Sequence, residues 1–286
     1  MRRDRIAAAP ISWGVCEVPG WGHQLTPDRV LGEMKELGIT ASEFGPDGFL
    51  PGPLLAAYGV TAVGGFVPAV LHDPGHDPLP DVRAALDRFT TAGARTLVLA
   101  AATGRDGYDG RPEVDAAGWR TLLGRLDEIA ALAAELGVTA ALHPHVGTVV
   151  ECPEEVDRVL DGSGIGLCLD TGHLLVGGTD PVALAERAAA RVAHVHLKDV
   201  DAAAADAVRA GRTTYTAAVD AGLYRPLGAG DLDLPALLTS LEAAGYAGWY
   251  VMEQDTVLPT PPPPGTGPLT DVRTSLTWLQ SWNPQP

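Results

Sequence analysis

The chain has 286 residues, of which 46% are hydrophobic, and its 36 acidic and 20 basic side chains give a net charge of −16. This length and composition can bury a sizeable core, and no apolar run reaches the ~18 residues that a membrane-spanning helix needs. The negative charge argues against nucleic-acid binding, because contacts with phosphates need a basic face.

The N-terminus and the cysteines indicate where the protein works. The basic N-terminus leads directly into a strand-like run, so we expect no signal peptide. The three cysteines, Cys16, Cys152 and Cys168, are an odd number without the spacing of a zinc finger, which is typical of reduced thiols. We therefore expect a cytoplasmic protein with no membrane contact, and homo-oligomerisation stays open.

Strand-like and helical segments alternate along the first half of the chain. Strands are predicted at Ile6 to Ser12, Thr40 to Phe44, Val60 to Val67, Thr96 to Ala102 and Val138 to Leu142. Helices are predicted between them at Thr26 to Gly38, Pro53 to Tyr58, Pro78 to Ala92 and Asp115 to Leu136. In the last helix, apolar residues recur at spacings of three and four, which is the pattern of a helix that buries one face.

The second half continues the alternation, with two interruptions. Strands are predicted at Ile165 to Leu169, Val192 to Leu197 and Trp249 to Met252. Helices are predicted at Pro153 to Leu160, from Asp180 onward after a loop that follows His173, at Leu234 to Ala244 and at Thr270 to Leu279. The interruptions are a helical insertion near residues 202–220 and a proline-rich loop at residues 259–268.

Eight strand–helix repeats in a chain of this length predict an α/β fold, a single (β/α)₈ TIM barrel over residues 1–286. A doubly wound open sheet is the alternative. It is disfavoured because the first strand–helix turn has no G-x-G-x-x-G sequence and the chain has no P-loop.

Ionisable residues collect where the later strands end, at positions that share the mouth of a barrel. A single histidine there is more often structural, but five of the eight histidines lie between residues 143 and 196. The ionisable residues expected at the mouth are His143 and His145 on the fifth strand, Asp170 and His173 on the sixth, His194, His196 and Lys198 on the seventh, and Glu253 on the eighth. Two imidazoles and two carboxylates would suit Mn²⁺, Fe²⁺, Co²⁺ or Zn²⁺, whereas Mg²⁺ prefers all-oxygen sites. Such an ion would act as a Lewis acid on a carbonyl or hydroxyl oxygen.

Three motifs resemble those of the xylose-isomerase-like barrel superfamily of sugar isomerases and epimerases. They are L-C-L-D-T-G-H at residues 167–173, H-V-H-L-K-D at 194–199 and V-M-E-Q-D at 251–255. In that family a Glu, an Asp, a His and a Glu from four successive strands hold the metal. The resemblance implies that Asp170, His196 and Glu253 are ligands here. The fifth strand has His143-Pro144-His145 in place of the usual Glu-Pro-x-Asn, so we expect His143 to replace the missing Glu.

Further stretches resemble the inosose dehydratase branch of this superfamily. They are the H-x-H-x-G-T pattern that begins at His143, residues 213–233 and residues 245–255. The resemblance implies removal of water from a polyol ketone such as 2-keto-myo-inositol, with Mn²⁺ or Co²⁺ preferred over Fe²⁺, Zn²⁺ or Mg²⁺. The candidates for the acid and the base are His145, Lys198, Glu43 and His173, and the sequence does not assign the two roles.

Two other functions stay open. One is an isomerase or epimerase of the same fold that acts on a keto-sugar or an inosose. The other is a non-catalytic carbohydrate-binding barrel, which would leave a complete metal site without a use. An epimerase of this family uses two carboxylates on either side of the substrate carbon, and His143 in place of one of them favours elimination.

Overall fold

In the computed structural model, which describes residues 3–282, nine parallel strands form one sheet and two further strands pair antiparallel beside it. The parallel order is β3-β2-β1-β11-β8-β7-β6-β5-β4, and the antiparallel pair is β9 with β10. The strands are β1 (Ile6–Ala8), β2 (Ala41–Ser42), β3 (Thr61–Ala62), β4 (Gly64–Ala69), β5 (Thr96–Ala101), β6 (Thr139–Leu142), β7 (Gly166–Asp170), β8 (Val192–Leu197), β9 (Asp199–Val200), β10 (Tyr224–Arg225) and β11 (Tyr250–Met252).

Val63 closes the sheet into a ring. The two terminal strands, β3 and β4, are consecutive in sequence and are separated by this residue. The Val63 N–H donates to the Ser42 carbonyl at 2.9 Å, and its own carbonyl accepts from the Arg95 N–H at 3.1 Å. β3 and β4 therefore act as one barrel strand, which leaves eight in the described chain. The prediction of a single (β/α)₈ TIM barrel is confirmed.

Helices connect the strands and surround the barrel, as right-handed parallel connections require. The α-helices are α1 (Pro27–Leu37), α2 (Gly52–Ala57), α3 (Leu79–Thr91), α4 (Ala116–Glu135), α5 (Pro153–Gly162), α6 (Thr171–Gly177), α7 (Pro181–Ala188), α8 (Ala202–Arg209), α9 (Tyr215–Asp220), α10 (Leu234–Ala243) and α11 (Pro268–Ser281). Short 3-10 helices cover Arg3–Arg5, Pro10–Trp13, Pro46–Gly48 and Ala189–Arg191.

Local sequence signals set several helix boundaries. The side chains of Thr26, Asp115 and Asp180 accept hydrogen bonds from the first backbone N–H groups of α1, α4 and α7. These groups have no partner within the helix, so a capping side chain stabilises the end. Gly38 ends α1 in the left-handed region, at φ 72°.

Two predicted boundaries are wrong, each for a local reason. The first strand was expected to reach Ser12, but β1 ends at Ala8 and a 3-10 helix begins at Pro10, which has no N–H to continue a sheet. A loop was expected after His173, but α6 begins at Thr171. The Asp170 Oδ1 atom accepts from the N–H groups of Gly172 and His173 at 2.9 and 2.8 Å, and so caps this helix.

The interior of the barrel is filled by small side chains, and larger apolar residues pack between the strands and the helices. Ala7, Ala41 and Val251 belong to one inner cluster, and Val98, Ala141 and Cys168 belong to another. The leucines of the helices pack on the outer face of the sheet. This division follows from the alternation of side chains along each strand.

A second apolar cluster, here called the roof cluster, covers the carboxyl ends of the strands. It combines residues from the insertion after β8 with residues from other loops: Trp21, Val146, Val176, Val200, Ala205, Tyr215, Ala218, Val219, Leu223 and Tyr224. The insertion contains α8 and α9, and β9 and β10 flank it. Residues 259–267 have no regular secondary structure. Within residues 3–282, no helix has both the length and the apolar character needed to cross a membrane.

Replacement of Gly64 tests the tight pairing of β4 with β5. A Cβ atom at Gly64 would lie 2.2 Å from the carbonyl oxygen of Thr96, its partner in the sheet. Because the obstacle is backbone, Gly64→Ala should lower the free energy of unfolding by about 3 kcal/mol, as measured by urea denaturation.

The matched control is Gly32→Ala in α1, where a Cβ atom has no neighbour within 4 Å. Alanine is the better helix former, so this variant should gain about 0.5–1 kcal/mol. Equal unfolding midpoints for the two variants would show that β4 and β5 are not closely paired at Gly64.

Candidate metal and substrate site

The centre of the mouth is an ion cluster around Lys198. Its ammonium nitrogen lies 2.7 Å from Asp170 Oδ2, 2.6 Å from Glu253 Oε2 and 3.3 Å from Asp255 Oδ1. These four side chains are buried. Asp170 ends β7, Lys198 follows β8, and Glu253 and Asp255 follow β11, so the parallel strands deliver all four to the same end of the barrel.

The four residues expected to bind metal lie together. Asp170 Oδ2 is 3.2 Å from His143 Nε2 and 3.4 Å from His196 Nδ1, and His196 Nδ1 is 3.2 Å from Glu253 Oε2. Donor atoms of Asp170, His196 and Glu253 lie within 4.8 Å of one another. The rings of His143 and His196 meet edge to face, with centroids 4.9 Å apart.

His194 and Glu43 lie on the other side of His196. The Glu43 Oε1 atom is 2.8 Å from His194 Nε2 and 3.0 Å from His196 Nε2. Glu43 follows β2, so this contact joins strands on distant parts of the sheet order. Of the four candidates for the acid and the base, Glu43 is held by two histidines and Lys198 by three carboxyl groups.

The other two candidates, His145 and His173, form a pair whose ring centroids are 3.6 Å apart and whose planes are tilted by 32°. His145 Nδ1 lies 2.7 Å from the Val146 carbonyl, which can only accept, so Nδ1 carries the proton and Nε2 has a free lone pair. His173 has the opposite arrangement, because its Nδ1 accepts from the Val146 N–H at 3.4 Å. Its Nε2 carries the proton and faces Asp255 Oδ2 at 3.6 Å.

Reasoning from sequence missed three residues that complete this side of the mouth. The Tyr215 hydroxyl donates to Asp255 Oδ2 at 2.6 Å and lies 3.1 Å from the Tyr224 hydroxyl. The Tyr224 hydroxyl is 3.5 Å from His173 Nδ1. Asp255 could have been found, because it is two residues beyond Glu253 and so shares its face. The two tyrosines carried no signal, because the insertion must fold back over the mouth to bring them there.

The loop after β5 also covers the mouth, and the sequence did not predict this position. Tyr108 packs on His145 with ring centroids 4.4 Å apart, and its hydroxyl donates to Glu17. Arg111 anchors the same loop by donating to the Thr148 carbonyl at 3.0 Å, and Asp109 accepts from the Thr216 N–H at 3.0 Å. The pocket beneath holds about 550 Å³, counting the solvent at its opening.

Burial lowers the pKa of the histidines on one side of the mouth. The pKa values of His145 and His173 fall well below the ordinary value, because burial disfavours the charged ring and neighbouring cations add to the effect. Burial also lowers the pKa of His143, against the opposing hydrogen bond to Asp170. These three rings are therefore neutral.

For several other groups at the mouth, ion pairs outweigh burial in setting the pKa. Burial alone would lower the pKa values of His196 and Lys198, but neighbouring acidic groups raise both well above their ordinary values. Burial would raise the pKa of Asp170, but Lys198 and the histidines hold it well below the ordinary value. Burial raises the pKa of Asp255 to about 6, although Lys198 opposes the change.

The residues at the centre of the mouth fit a divalent cation. In the described chain, three buried carboxyl groups, of Asp170, Glu253 and Asp255, face the ammonium group of Lys198, and a fourth, of Glu43, contacts His194 and His196. Such an excess of buried negative charge is unfavourable without further cations. The buried Nδ1 atoms of His143 and His196 have no hydrogen-bond partner. Mixed imidazole and carboxylate donors are the set that Mn²⁺, Fe²⁺, Co²⁺ and Zn²⁺ accept.

Fold and site together define an enzyme built on a TIM barrel, with a cluster of side chains at its mouth that suits a divalent ion. The profile of the family described as "Xylose isomerase-like TIM barrel" matches residues 26–282. The chain therefore belongs to the xylose isomerase-like TIM barrel family.

Two named relatives and one solved structure are similar to this chain. The rhizopine catabolism protein MocC of Rhizobium meliloti is 35% identical over 269 residues, which cover 88% of this chain and 81% of that protein. An inosose dehydratase of Geobacillus kaustophilus is 34% identical over 268 residues, which cover 88% of this chain and 87% of that protein. Among solved structures, the IOLI protein with a bound zinc atom shares the fold at 14% identity, with a TM-score of 0.70 and coverage of 96% and 95% of the two chains.

Replacement of Gly147 tests whether the loop that carries Tyr108 is held against the mouth. Gly147 has a φ of 77°, and a Cβ atom there would lie 2.4 Å from both the Cα and the carbonyl oxygen of Tyr108. Gly147→Ala should push the loop outward, so trypsin should cleave faster after the exposed Arg105 in the same loop.

The control for backbone strain is Gly137→Ala at the end of α4. Gly137 also has a positive φ, of 68°, but a Cβ atom there meets nothing within 4 Å. Cleavage after Arg105 should keep the wild-type rate in this variant. A wild-type rate in Gly147→Ala as well would mean that the loop does not depend on this contact.

Proposed function

We propose that this protein is a metal-dependent hydro-lyase that removes water from an inosose such as 2-keto-myo-inositol. Relatives named inosose dehydratase, which align over nearly the whole chain, support this function. The observation that carries the proposal is the pair of histidines at the end of β6, where His143 lies against Asp170 and His145 packs against His173.

This pair distinguishes elimination from epimerisation. An epimerase must remove a proton from one face of a carbon and return it on the opposite face, which needs two groups on opposite sides. An elimination can use a base and an acid on the same side. His145 and His173 pack against each other on one side of the mouth, the first with a free lone pair and the second with an N–H group, so they suit the second reaction.

In this proposal His143, Asp170, His196 and Glu253 bind one divalent ion, with Mn²⁺ or Co²⁺ preferred. When bound, the ion would polarise the ketone of the substrate and acidify the adjacent C–H group. The distance of 5.4 Å between the ring centroids of His143 and His173 supports this assignment, because an ion bound by His143 would then act beside the histidine pair.

His145 moves the proton, and His173 orients the departing group. The lone pair on His145 Nε2 takes the proton from carbon, a C=C bond forms, and the C–O bond of the adjacent hydroxyl breaks. His145, now an imidazolium, gives this proton to the departing hydroxyl, which leaves as water, while the Nε2–H group of His173 donates a hydrogen bond that orients that hydroxyl. Asp255 contacts His173 and accepts a hydrogen bond from Tyr215, so it fixes the position of His173. Tyr108 and the roof cluster limit the entry of bulk water.

The metal ligands can be tested by Asp170→Asn. This change removes one charge but keeps the oxygen that caps α6, so the protein should fold and lose most of its bound Mn²⁺. Asp180→Asn is the matched control, because Asp180 caps α7 in the same way outside the mouth. Metal per chain after gel filtration is the measurement, and a full equivalent retained by Asp170→Asn would contradict the assignment.

The proton-transfer role is tested by His145→Ala. Loss of the base should lower kcat by about 10²-fold or more while the metal stays bound. His76→Ala, which changes an exposed histidine, serves as the control and should keep wild-type turnover. Wild-type turnover in His145→Ala would exclude this residue as the base.

The reaction itself is decided by incubating the metal-loaded protein with inososes and ketohexoses in deuterated water. A new absorbance of a conjugated dione indicates elimination. Exchange of the α-proton for deuterium without loss of water would indicate an isomerase or epimerase. Binding of the polyol without either change would indicate a carbohydrate-binding barrel.

A further inference from the structure

Glu43 differs from the other carboxylates of the mouth in what it contacts. Its Oε1 atom accepts from His194 Nε2 at 2.8 Å and from His196 Nε2 at 3.0 Å, while Asp170 and Glu253 contact Lys198. Glu43 and both histidines are buried. The carboxylate therefore acts on the edge of the His196 ring that carries Nε2, away from the edge that faces the ion cluster.

This contact determines which nitrogen of His196 can bind a metal. A carboxylate only accepts, so the His196 Nε2 atom must carry a proton, and a neutral ring then has its lone pair on Nδ1. Nδ1 has no hydrogen-bond partner and lies 3.4 Å from Asp170 Oδ2 and 3.2 Å from Glu253 Oε2. Three electron-rich atoms converge there, which is an arrangement suited to a cation.

We propose that Glu43 is a positioning residue of the metal centre, and that it neither gives nor takes the proton of the reaction. It holds His196 in the tautomer that presents Nδ1, and His194 fixes the Glu43 carboxylate by contacting the same oxygen, Oε1. This explains why the H-x-H pair on β8 contains a second buried histidine that the proposed ligand set does not use. The inference rests on the proposed metal centre, but not on the identity of the substrate.

Metal affinity is the first test, measured as competition between the purified protein and a fluorescent chelator for Mn²⁺ or Zn²⁺. In Glu43→Gln the new amide can donate to His196 Nε2 and favour the wrong tautomer, so Kd should rise about 10- to 100-fold. Glu43→Asp restores a carboxylate and should recover part of the affinity. It is also the variant to use if Glu43→Gln does not fold.

Glu33→Gln is the matched control. Glu33 is also buried and bonded to two donors, since it accepts from Trp13 Nε1 at 2.9 Å and from Arg29, but it lies away from the ion cluster. This variant should change thermal stability without changing metal Kd. A role of Glu43 that is only structural would give the same result in Glu43→Gln.

The second test reads the tautomer directly. In ¹⁵N-labelled protein saturated with Zn²⁺, the His196 signals should show a proton on Nε2 and the metal on Nδ1 in the wild type, and should lose this preference in Glu43→Gln. Unchanged Kd and unchanged tautomer would overturn the proposal. So would a Glu43→Gln variant that binds metal normally and has no turnover, because Glu43 would then be the acid or the base. Absence of inosose turnover in the wild type would remove the proposed substrate and leave these two readouts intact.

Discussion

In the described part of the chain, four carboxyl groups are buried at this mouth, three of them around one lysine, and this is the constraint on which the rest of the mouth depends. Buried charges are tolerated only when ion pairs and hydrogen bonds compensate them. Lys198 meets three of the carboxyl groups, and Glu43 is met by two histidines. Asp170 also accepts two backbone N–H bonds at the start of α6. The remaining negative charge is what makes the cluster suitable for a divalent ion.

The barrel provides this arrangement because parallel strands end on the same side. Residues from β7, β8 and β11 reach one point, and the small side chains inside the barrel leave the larger polar groups at its mouth. The roof cluster and the loop with Tyr108 then separate the site from bulk solvent. Lower access of water strengthens every electrostatic interaction within the site, so the same covering serves binding and chemistry.

The histidines show how one residue type serves different purposes within a few ångströms. His145 and His173 are neutral and differ in which nitrogen carries the proton, because each bonds a different backbone group of Val146. His196 lies between a carboxylate pair and Glu43, and its pKa rises. These roles are decided by hydrogen-bond partners, so the residue type alone could not have separated them.

The sequence by itself determined the barrel and much of its site. Periodicity and capping residues are local signals, and strand alternation places Asp170, His196 and Glu253 at strand ends whatever the loops do. Only the tertiary structure decided the rest. Val63 closes the ring through hydrogen bonds to two other strands, Glu43 meets a histidine 151 residues away, and Tyr215 reaches Asp255 from a folded insertion. Such contacts join segments that are distant in sequence, and no local pattern encodes a distance through space.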